Sequence, residues 1–239
     1  MSKPITALLL HSFGSAGRSW SAVRSRLDAP SVAPDLPGFG DAAPLPEPCV
    51  SAYADWVCAR MAELEGDVVM VAASMGGKIA MAVSARRPPR LRGLVLCAPS
   101  PPTPEPMEAG ERERQLASWG DASAAAESVA QSTRAPPRSA DFVAAVEDWL
   151  RTAPSAWRWW WGEGSREVID VAMSTTPAEV LVGDQDEHLG AELQRRETLP
   201  RLSRSRLRCV AASRHLLALD RPDAVAEAVE AVMARCGSK

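Results

Sequence analysis

The sequence predicts an α/β fold in which a mostly parallel sheet is flanked by helices. Short continuous apolar runs alternate with longer segments of helical periodicity, which is the pattern of a parallel sheet covered on both faces. The 239 residues are 46% hydrophobic and 24% charged, a composition typical of globular proteins. This length is close to the upper end of what one hydrophobic core can hold.

The apolar runs predict the strands, and the periodic segments predict the helices. The predicted strands are Ile5–Leu10, Val32–Ala33, Val68–Ala73, Gly93–Cys97, Ala178–Val182 and Leu207–Val210. The predicted helices are Ser19–Leu27, Ala52–Leu64, Met75–Arg86 and Ala224–Ala234. In the last helix, valines recur at spacings of three and four residues, so we expect one of its faces to be buried.

Between about residues 101 and 176 the alternation stops, and helical stretches follow one another with no strand between them. Proline ends a helix at the residue before it, and Pro136, Pro137 and Pro154 divide this segment. We therefore expect residues 1–100 and 177–239 to form the sheet-containing core. Residues 101–176 are expected to form an all-helical cap over one edge of the sheet.

Six of the eight tryptophans lie in the expected cap: Trp119, Trp149, Trp157, Trp159, Trp160 and Trp161. Trp157, Trp160 and Trp161 share one helix face, at spacings of three and four. The favoured interpretation is that most of these indoles pack the cap against the sheet. The alternative is that one or two line a substrate pocket, with Trp157, Trp160 and Trp161 as the candidates. Such a pocket would favour an apolar or aromatic substrate over a sugar or a polyanion.

Charge and cysteine content exclude several classes of protein. The 27 basic and 30 acidic side chains give a formal charge of −3, which argues against binding of nucleic acid or anionic membranes. The basic cluster Arg201, Arg204, Arg206 and Arg208 is interpreted as a solvated face. We expect a small-molecule substrate as the partner, and the sequence leaves the oligomeric state open.

No apolar run approaches the roughly 20 residues that span a bilayer. Met1–Pro4 leads into a strand that is too short and wrongly flanked for a signal peptide, so we expect a cytoplasmic protein. The five cysteines show no metal-ligand spacing, and Cys97 and Cys209 are expected to be buried, reduced thiols. Neither phosphate-binding nor dinucleotide-binding glycine motifs occur, so we expect no metal and no cofactor.

The stretch most informative about function is Val68 to Ala80, VVMVAASMGGKIA. An apolar strand runs through Ser74 directly into a helix, with small residues on either side of the serine. Such a turn strains the backbone, lifts the hydroxyl above the sheet and directs the helix N-terminus at the atom it attacks. The alternative is an ordinary strand–helix turn with an incidental serine.

Other segments resemble the α/β-hydrolase superfamily in its capped form. The resemblance is carried by Leu8-Leu9-Leu10-His11-Ser12-Phe13-Gly14, by Asp35-Leu36-Pro37-Gly38-Phe39-Gly40, by Ser74-Met75-Gly76-Gly77, by Val180-Leu181-Val182-Gly183-Asp184-Gln185-Asp186 and by Ser213-Arg214-His215. These segments cover nearly the whole chain, in the order serine, aspartate, histidine.

The resemblance implies a catalytic triad. Ser74 is then the nucleophile and His215 the general base that takes its proton. The acid that orients His215 is expected to be Asp186, with Asp184 as the second choice and Glu187 also in reach. His11 is expected to shape the neighbouring loop, and His188 is expected to be a solvated loop residue rather than part of the pocket.

The resemblance also assigns the oxyanion hole to the backbone N–H groups of Phe13 and Met75. Two residues depart from the family pattern, because Ala72 and Ser12 stand where glycine is usual. Alanine is a minor change. At Ser12, either the β-carbon restricts the loop that presents Phe13 or the hydroxyl supplies another donor, so we expect a narrowed or retuned oxyanion hole that includes Ser12 among the substrate contacts.

Three functions follow from the resemblance. The first is a serine hydrolase that cleaves a carboxylic ester, lactone or thioester. The second is a C–C bond hydrolase or a lyase that eliminates a small acid, similar to the menaquinone-pathway synthase. It requires cations facing the pocket, and Lys78 is the one obvious candidate, although a solvated lysine is the favoured interpretation. The third is a ligand-binding protein on a hydrolase scaffold.

Overall fold

Six parallel strands form one sheet in the computed structural model, which describes residues 5–171 and 174–237. The strands are β1 Ile5–Leu10, β2 Ser31–Val32, β3 Asp67–Ala73, β4 Leu91–Cys97, β5 Ala178–Gly183 and β6 Ser205–Val210. Their order is β2-β1-β3-β4-β5-β6, and every neighbouring pair is parallel. All six predicted strands are therefore confirmed. The signal-peptide question falls on Met1–Pro4, which lies outside the described residues.

Helices connect the strands on both faces of the sheet. The helices of the core are α1 Ser21–Arg24, α2 Val50–Glu63, α3 Met75–Ala85, α8 Ala191–Leu193, α9 Leu217–Asp220 and α10 Pro222–Gly237. The helix predicted over Ser19–Leu27 is shorter than expected, because a 3₁₀ turn at Gly17–Trp20 precedes α1. Among the described residues, no helix is long and apolar enough to cross a membrane.

The segment between β4 and β5 is helical in its described part. It contains α4 Glu111–Ala117, α5 Ala122–Ser132, α6 Ala140–Leu150 and α7 Pro154–Gly162, followed by a 3₁₀ turn at Gly164–Arg166. Pro154 begins α7 at a position where a missing N–H costs nothing. The expected helical content of residues 101–176 is thus observed over the ranges that the structure describes.

Two buried apolar clusters lie on opposite faces of the sheet. In β1, Leu8 and Leu10 belong to one cluster, and Ala7 and Leu9 belong to the other. Because successive side chains of a strand point to opposite faces, this alternation covers the sheet on both sides. The first cluster contains α2, α3 and the indoles of α7, and the second contains α10.

The cysteine predictions are met in part. Cys97 is buried in β4, but Cys209 is exposed, contrary to the expectation. The reason is that β6 is the last strand of the sheet, and its burial pattern shows that it is only partly covered.

The carboxyl ends of the strands form one edge, where the chemistry-bearing loops emerge. Ser74 follows β3, the loop with Phe13 follows β1, and Asp186 and His215 follow β5 and β6. The chain runs from β1 outward to β2 and then crosses back to β3, so the strand order reverses between β1 and β3. Ligands of open α/β sheets bind in the crevice at such a reversal.

The packing of α3 against the end of β1 depends on Gly76. A β-carbon at this position would lie 2.6 Å from the carbonyl oxygen of His11 and 2.7 Å from that of Leu10. We expect Gly76→Ala to lower the free energy of unfolding by about 1–3 kcal/mol, because backbone atoms must move to make room. Urea denaturation measures this change.

Gly162→Ala is the matched control, because a β-carbon there meets no atom within 4 Å. It is expected to leave stability within about 1 kcal/mol of the wild type. Equal effects of the two substitutions would contradict the close packing of α3 on β1.

Candidate active site

Ser74 occupies the turn between β3 and α3 with a strained backbone. Its φ of 48° and ψ of −116° lie outside the regions that L-residues usually adopt. The Ser74 N–H donates to the carbonyl oxygen of Cys97 at 3.0 Å, and its carbonyl accepts hydrogen bonds from Gly77 at 2.8 Å and Ser100 at 3.0 Å. These bonds hold the turn, and the Ser74 side chain lines a cavity.

Asp186 and His215 meet at the carboxyl ends of β5 and β6. Nδ1 of His215 lies 2.9 Å from Oδ2 of Asp186. The second oxygen, Oδ1, accepts the backbone N–H groups of His188 and Leu189, each at 3.0 Å. A carboxylate is an acceptor only, so the proton is assigned to Nδ1. Nε2 is then the nitrogen that can accept a proton, and His215 lines the same cavity as Ser74.

In the Asp186–His215 pair, attraction and hydrogen bonding together shift both pKa values further than burial does. Burial acts to raise the pKa of Asp186, but the charge of His215 and hydrogen bonds from His215, Leu189 and His188 lower it to about 2. Burial acts to lower the pKa of His215, yet the charge and hydrogen bond of Asp186, with the charge of Glu105, raise it. Asp186 therefore stays ionised over the physiological range and stabilises a protonated imidazole.

The other two candidate acids have different positions. Asp184 is exposed, and its Oδ1 accepts the N–H of Ser213 at 3.2 Å. Glu187 is exposed and lines an open groove beside the cavity. Of the three acids, Asp186 is the one that contacts His215. His188 is exposed, as expected, but it also lines the mouth of the cavity.

The loop after β1 approaches the start of α3. Among the described residues, no protein acceptor takes a hydrogen bond from the backbone N–H of Phe13 or Met75. His11 is buried, with its Nδ1 2.8 Å from the carbonyl oxygen of Ser12 and its Nε2 accepting the N–H of Leu36 at 2.9 Å. Burial lowers the pKa of His11 to about 4, so it remains neutral and holds the loop.

Ser12 lines the cavity without left-handed backbone strain. The described residues with a positive φ include Gly14 at 64° but not Ser12. A glycine is therefore not required at position 12 by its backbone conformation, and the serine side chain is buried beside the cavity. A β-carbon at Gly14 would overlap the Trp149 ring, which fixes the path of the loop instead.

The cavity has a volume of about 360 Å³ and mixes core residues with residues of the helical segment. Phe13, Trp149, Trp160 and Trp161 are among its lining residues. Trp157, one of the three candidate indoles for the pocket, does not line it. Trp157 is buried behind the wall and its Nε1 donates to the carbonyl oxygen of Gln115 at 2.9 Å.

Most of the indoles pack the helical segment onto the core, as the favoured interpretation predicted. Phe13 is the centre of this packing, with its ring centroid 5.5 Å or less from those of Trp149, Trp157 and Trp161. Trp159 stacks on Tyr53 of α2 at 4.6 Å. Sequence reasoning missed the place of Trp149 in the cavity, because that indole lies on α6, away from the tryptophan run of α7.

The sequence matches the alpha/beta hydrolase family over residues 7–228. The chain belongs to the alpha/beta hydrolase family. No curated protein matches the sequence significantly. The family match agrees with the observed parallel sheet and its flanking helices, and the protein is an enzyme of this family.

Solved structures share the fold of this alpha/beta hydrolase. A thermophilic esterase from Thermogutta terrifontis, with malate bound, has a TM-score of 0.81 and 22% identity, and the alignment covers 100% of this chain and 92% of that one. An esterase from Exiguobacterium antarcticum has a TM-score of 0.85 and 15% identity, with 98% and 93% covered. A bromoperoxidase from Bacillus anthracis has a TM-score of 0.83 and 18% identity, with 98% and 93% covered. One fold therefore accommodates proteins named for different activities.

Lys78 of this hydrolase is buried, contrary to the solvated position favoured from the sequence. Its side chain is fully inaccessible, and Nζ donates to the carbonyl oxygens of Thr103 at 3.2 Å and Ser165 at 3.1 Å. Lys78 thus ties α3 to both ends of the helical segment. Its burial depends on acceptors 25 and 87 residues away in the chain, so no local pattern indicates it.

Glu105 was not identified from the sequence. It lies in the proline-rich segment after β4, where no periodicity assigns it to a face, and its side chain lines the cavity. Its Oε2 is buried and has no hydrogen-bond partner among the described residues. Burial raises the pKa of Glu105, against the lowering effects of the nearby Ser100 hydroxyl and of the charges of His215, Lys78 and Arg112.

The Lys78 ammonium makes a testable contribution to stability. Burial lowers its pKa from 10.5 to about 8, although Glu105 and Glu167 act to raise it. Between these pH values the unfolded chain binds a proton that the folded chain has lost, so the free energy of unfolding rises with pH by about 1.4 kcal/mol per unit. We expect the free energy of unfolding of the wild type, relative to that of Lys78→Met, to increase by about 1.5 kcal/mol from pH 8 to pH 9.5.

Urea denaturation at both pH values measures the difference. Methionine is the reference because it has similar length and does not titrate. A difference that stays constant with pH would contradict the burial of the ammonium.

Proposed function

We propose that this alpha/beta hydrolase is a serine hydrolase that cleaves a carboxylic ester, or a related lactone or thioester, through an acyl-enzyme on Ser74. The observation that carries the proposal is the Asp186–His215 hydrogen bond of 2.9 Å in a cavity that Ser74 also lines. A serine hydroxyl needs such a base, and the base needs an acid on its other nitrogen.

In the proposed mechanism, Ser74 Oγ attacks the acyl carbon while Nε2 of His215 takes its proton. Asp186 holds the Nδ1–H tautomer and stabilises the imidazolium. The carbonyl oxygen becomes an oxyanion, which accepts hydrogen bonds from the backbone N–H groups of Phe13 and Met75. His215 returns the proton to the leaving oxygen or sulfur. Water then attacks the acyl-enzyme by the same route and regenerates Ser74.

The helices between β4 and β5 are proposed to act as a cap. Trp149 and Trp161 bring aromatic walls from this segment to the cavity of Ser74. Such walls favour an apolar or aromatic acyl or alcohol group. Ser12 is proposed to modulate the oxyanion hole from the edge of the same cavity.

We expect aryl esters of medium-chain acids to be hydrolysed with higher kcat/KM than the corresponding acetate, because the longer acyl group buries more apolar surface. A series of p-nitrophenyl esters from acetate to octanoate measures this preference. A clear preference for acetate would contradict the proposed role of the aromatic walls.

C–C bond hydrolysis and elimination of a small acid are less well supported. That chemistry calls for cationic groups facing the substrate, and Lys78 donates to carbonyl oxygens outside the cavity. Arg18 lines the cavity but is paired with Asp148 and Glu147. The third reading, a ligand-binding protein, leaves the Asp186–His215 pair without a role.

The variants Asp186→Asn and Asp184→Asn test which of these two aspartates is the acid that orients His215. In Asp186→Asn the amide can hold His215 in the wrong tautomer, so we expect kcat for an aryl butyrate to fall by about 10³- to 10⁴-fold. Asparagine at 184 keeps the oxygen that accepts the Ser213 N–H, so Asp184→Asn is expected to retain activity within a few fold.

The pH dependence of kcat/KM gives a second readout for the same pair of variants. Neutral His215 is the active form, and its pKa is raised above 6.5, so wild-type activity rises with pH above that value. In Asp186→Asn, the acidic limb of the residual activity is expected to shift to lower pH, because the charge that raises the pKa of His215 is gone. An unchanged acidic limb in Asp186→Asn, or equal losses in the two variants, would contradict the assignment.

A further inference from the structure

The cavity contains a carboxyl group that the proposed mechanism does not use. Glu105 lines it together with Ser74 and His215. Its backbone is fixed, because its N–H donates to the carbonyl oxygen of Ser165 at 2.8 Å. Its Oε2 is buried and unpaired among the described residues. An unpaired buried carboxyl oxygen carries a desolvation cost, which the positive charge of a ligand in the cavity would offset.

The cations near Glu105 are engaged elsewhere. Lys78 donates to the carbonyl oxygens of Thr103 and Ser165. Arg112 donates through one nitrogen to the carbonyl oxygen of Trp161 and to Oγ of Ser165. Both are close enough to affect the pKa of Glu105, but among the described residues neither forms a hydrogen bond with its carboxyl group. The Glu105 carboxyl group is therefore not paired directly with either cation, although both charges and the nearby Ser100 hydroxyl act on it.

Aromatic rings form the neighbouring walls of the cavity. Phe13, Trp149, Trp160 and Trp161 all line it. The faces of such rings attract a cation, and their apolar surface accommodates alkyl groups on a positively charged nitrogen. The rings alone would accept a neutral alkyl group equally well. The acidic group beside them is therefore what favours a cationic ligand over a neutral one.

The cavity is acidic as a whole. Its described lining residues carry four carboxylates, on Glu105, Glu111, Asp141 and Asp148, against one guanidinium, that of Arg18. Arg18 is already paired with Asp148 and with Glu147.

The adjoining groove extends this excess of negative charge to the surface. It shares Met107, Glu111 and His188 with the cavity. Glu108, Glu127 and Glu187 add three carboxylates along it, against Arg114. A cleft lined by one sign of charge concentrates ligands of the opposite sign.

We propose that the substrate carries an alkylammonium group, which lies between the aromatic walls and the Glu105 carboxyl group while Ser74 attacks the acyl carbon. The bound cation favours the ionised form of this carboxyl group, against the burial that raises its pKa. This inference rests on the proposed hydrolase function and names its substrate class. Glu105 is then a specificity-determining residue that contacts the substrate away from the reacting atoms.

A pair of thioesters that differ in charge alone tests the proposal. Butyrylthiocholine carries a quaternary nitrogen, and S-(3,3-dimethylbutyl) thiobutyrate carries a quaternary carbon in its place. We expect the wild type to hydrolyse the cation with a kcat/KM about tenfold or more above that of the neutral isostere. In Glu105→Gln, which keeps the shape of the side chain, this ratio is expected to fall towards one.

Glu65→Gln is the matched control, because Glu65 is exposed and does not line the cavity. It removes one negative charge from the protein and is expected to keep the wild-type ratio. A ratio near one in the wild type, or a high ratio that survives in Glu105→Gln, would overturn the proposal.

Binding measured without turnover separates this proposal from the proposed function. Benzyltrimethylammonium and its neutral isostere neopentylbenzene are titrated against tryptophan fluorescence, using wild type and Glu105→Gln. Preferential binding of the cation, lost in Glu105→Gln, supports the site even if no ester is hydrolysed. Equal binding of the two probes by wild type overturns it, even if neutral aryl esters are good substrates.

Discussion

The strained backbone at Ser74 is the constraint on which the rest of the site depends. A positive φ at a serine persists only where the surroundings fix it, and here the N–H of Ser74 is held by Cys97 and its carbonyl by Ser100. Both partners belong to the end of β4 and the segment that leaves it, so the turn is braced by the neighbouring strand. The close approach of Gly76 to the carbonyl oxygens of Leu10 and His11 braces the turn from the other side.

The helical segment is joined to this turn by buried polar contacts as well as by apolar packing. Lys78 lies one helical turn after Ser74 and donates to carbonyl groups at both ends of the segment. Arg112 and Glu105 converge on Ser165 in the same place. The aromatic cluster around Phe13 then closes over the loop after β1. The position of the aromatic walls is therefore coupled to the same helix that begins at the proposed nucleophile.

Patterns that depend on local spacing could be predicted from the sequence, and contacts between distant segments could not. The strands were recognisable because parallel strands buried on both faces are continuous apolar runs. Ser74 was indicated by the small residues of a sharp strand–helix turn, and Asp186 and His215 were indicated by the resemblance of their loops to those of the α/β-hydrolase superfamily. The burial of Lys78 and the position of Glu105 in the cavity depend on partners brought together by the fold, and the exposure of Cys209 depends on β6 being the last strand.

The most direct test of an activated Ser74 is the intact mass of the protein after treatment with a fluorophosphonate, for wild type and Ser74→Ala, with the adduct located by peptide mapping. The account predicts one adduct on the wild type, on Ser74, and none on the variant. Folded wild-type protein that takes up no adduct, or an adduct that persists in Ser74→Ala, would contradict it.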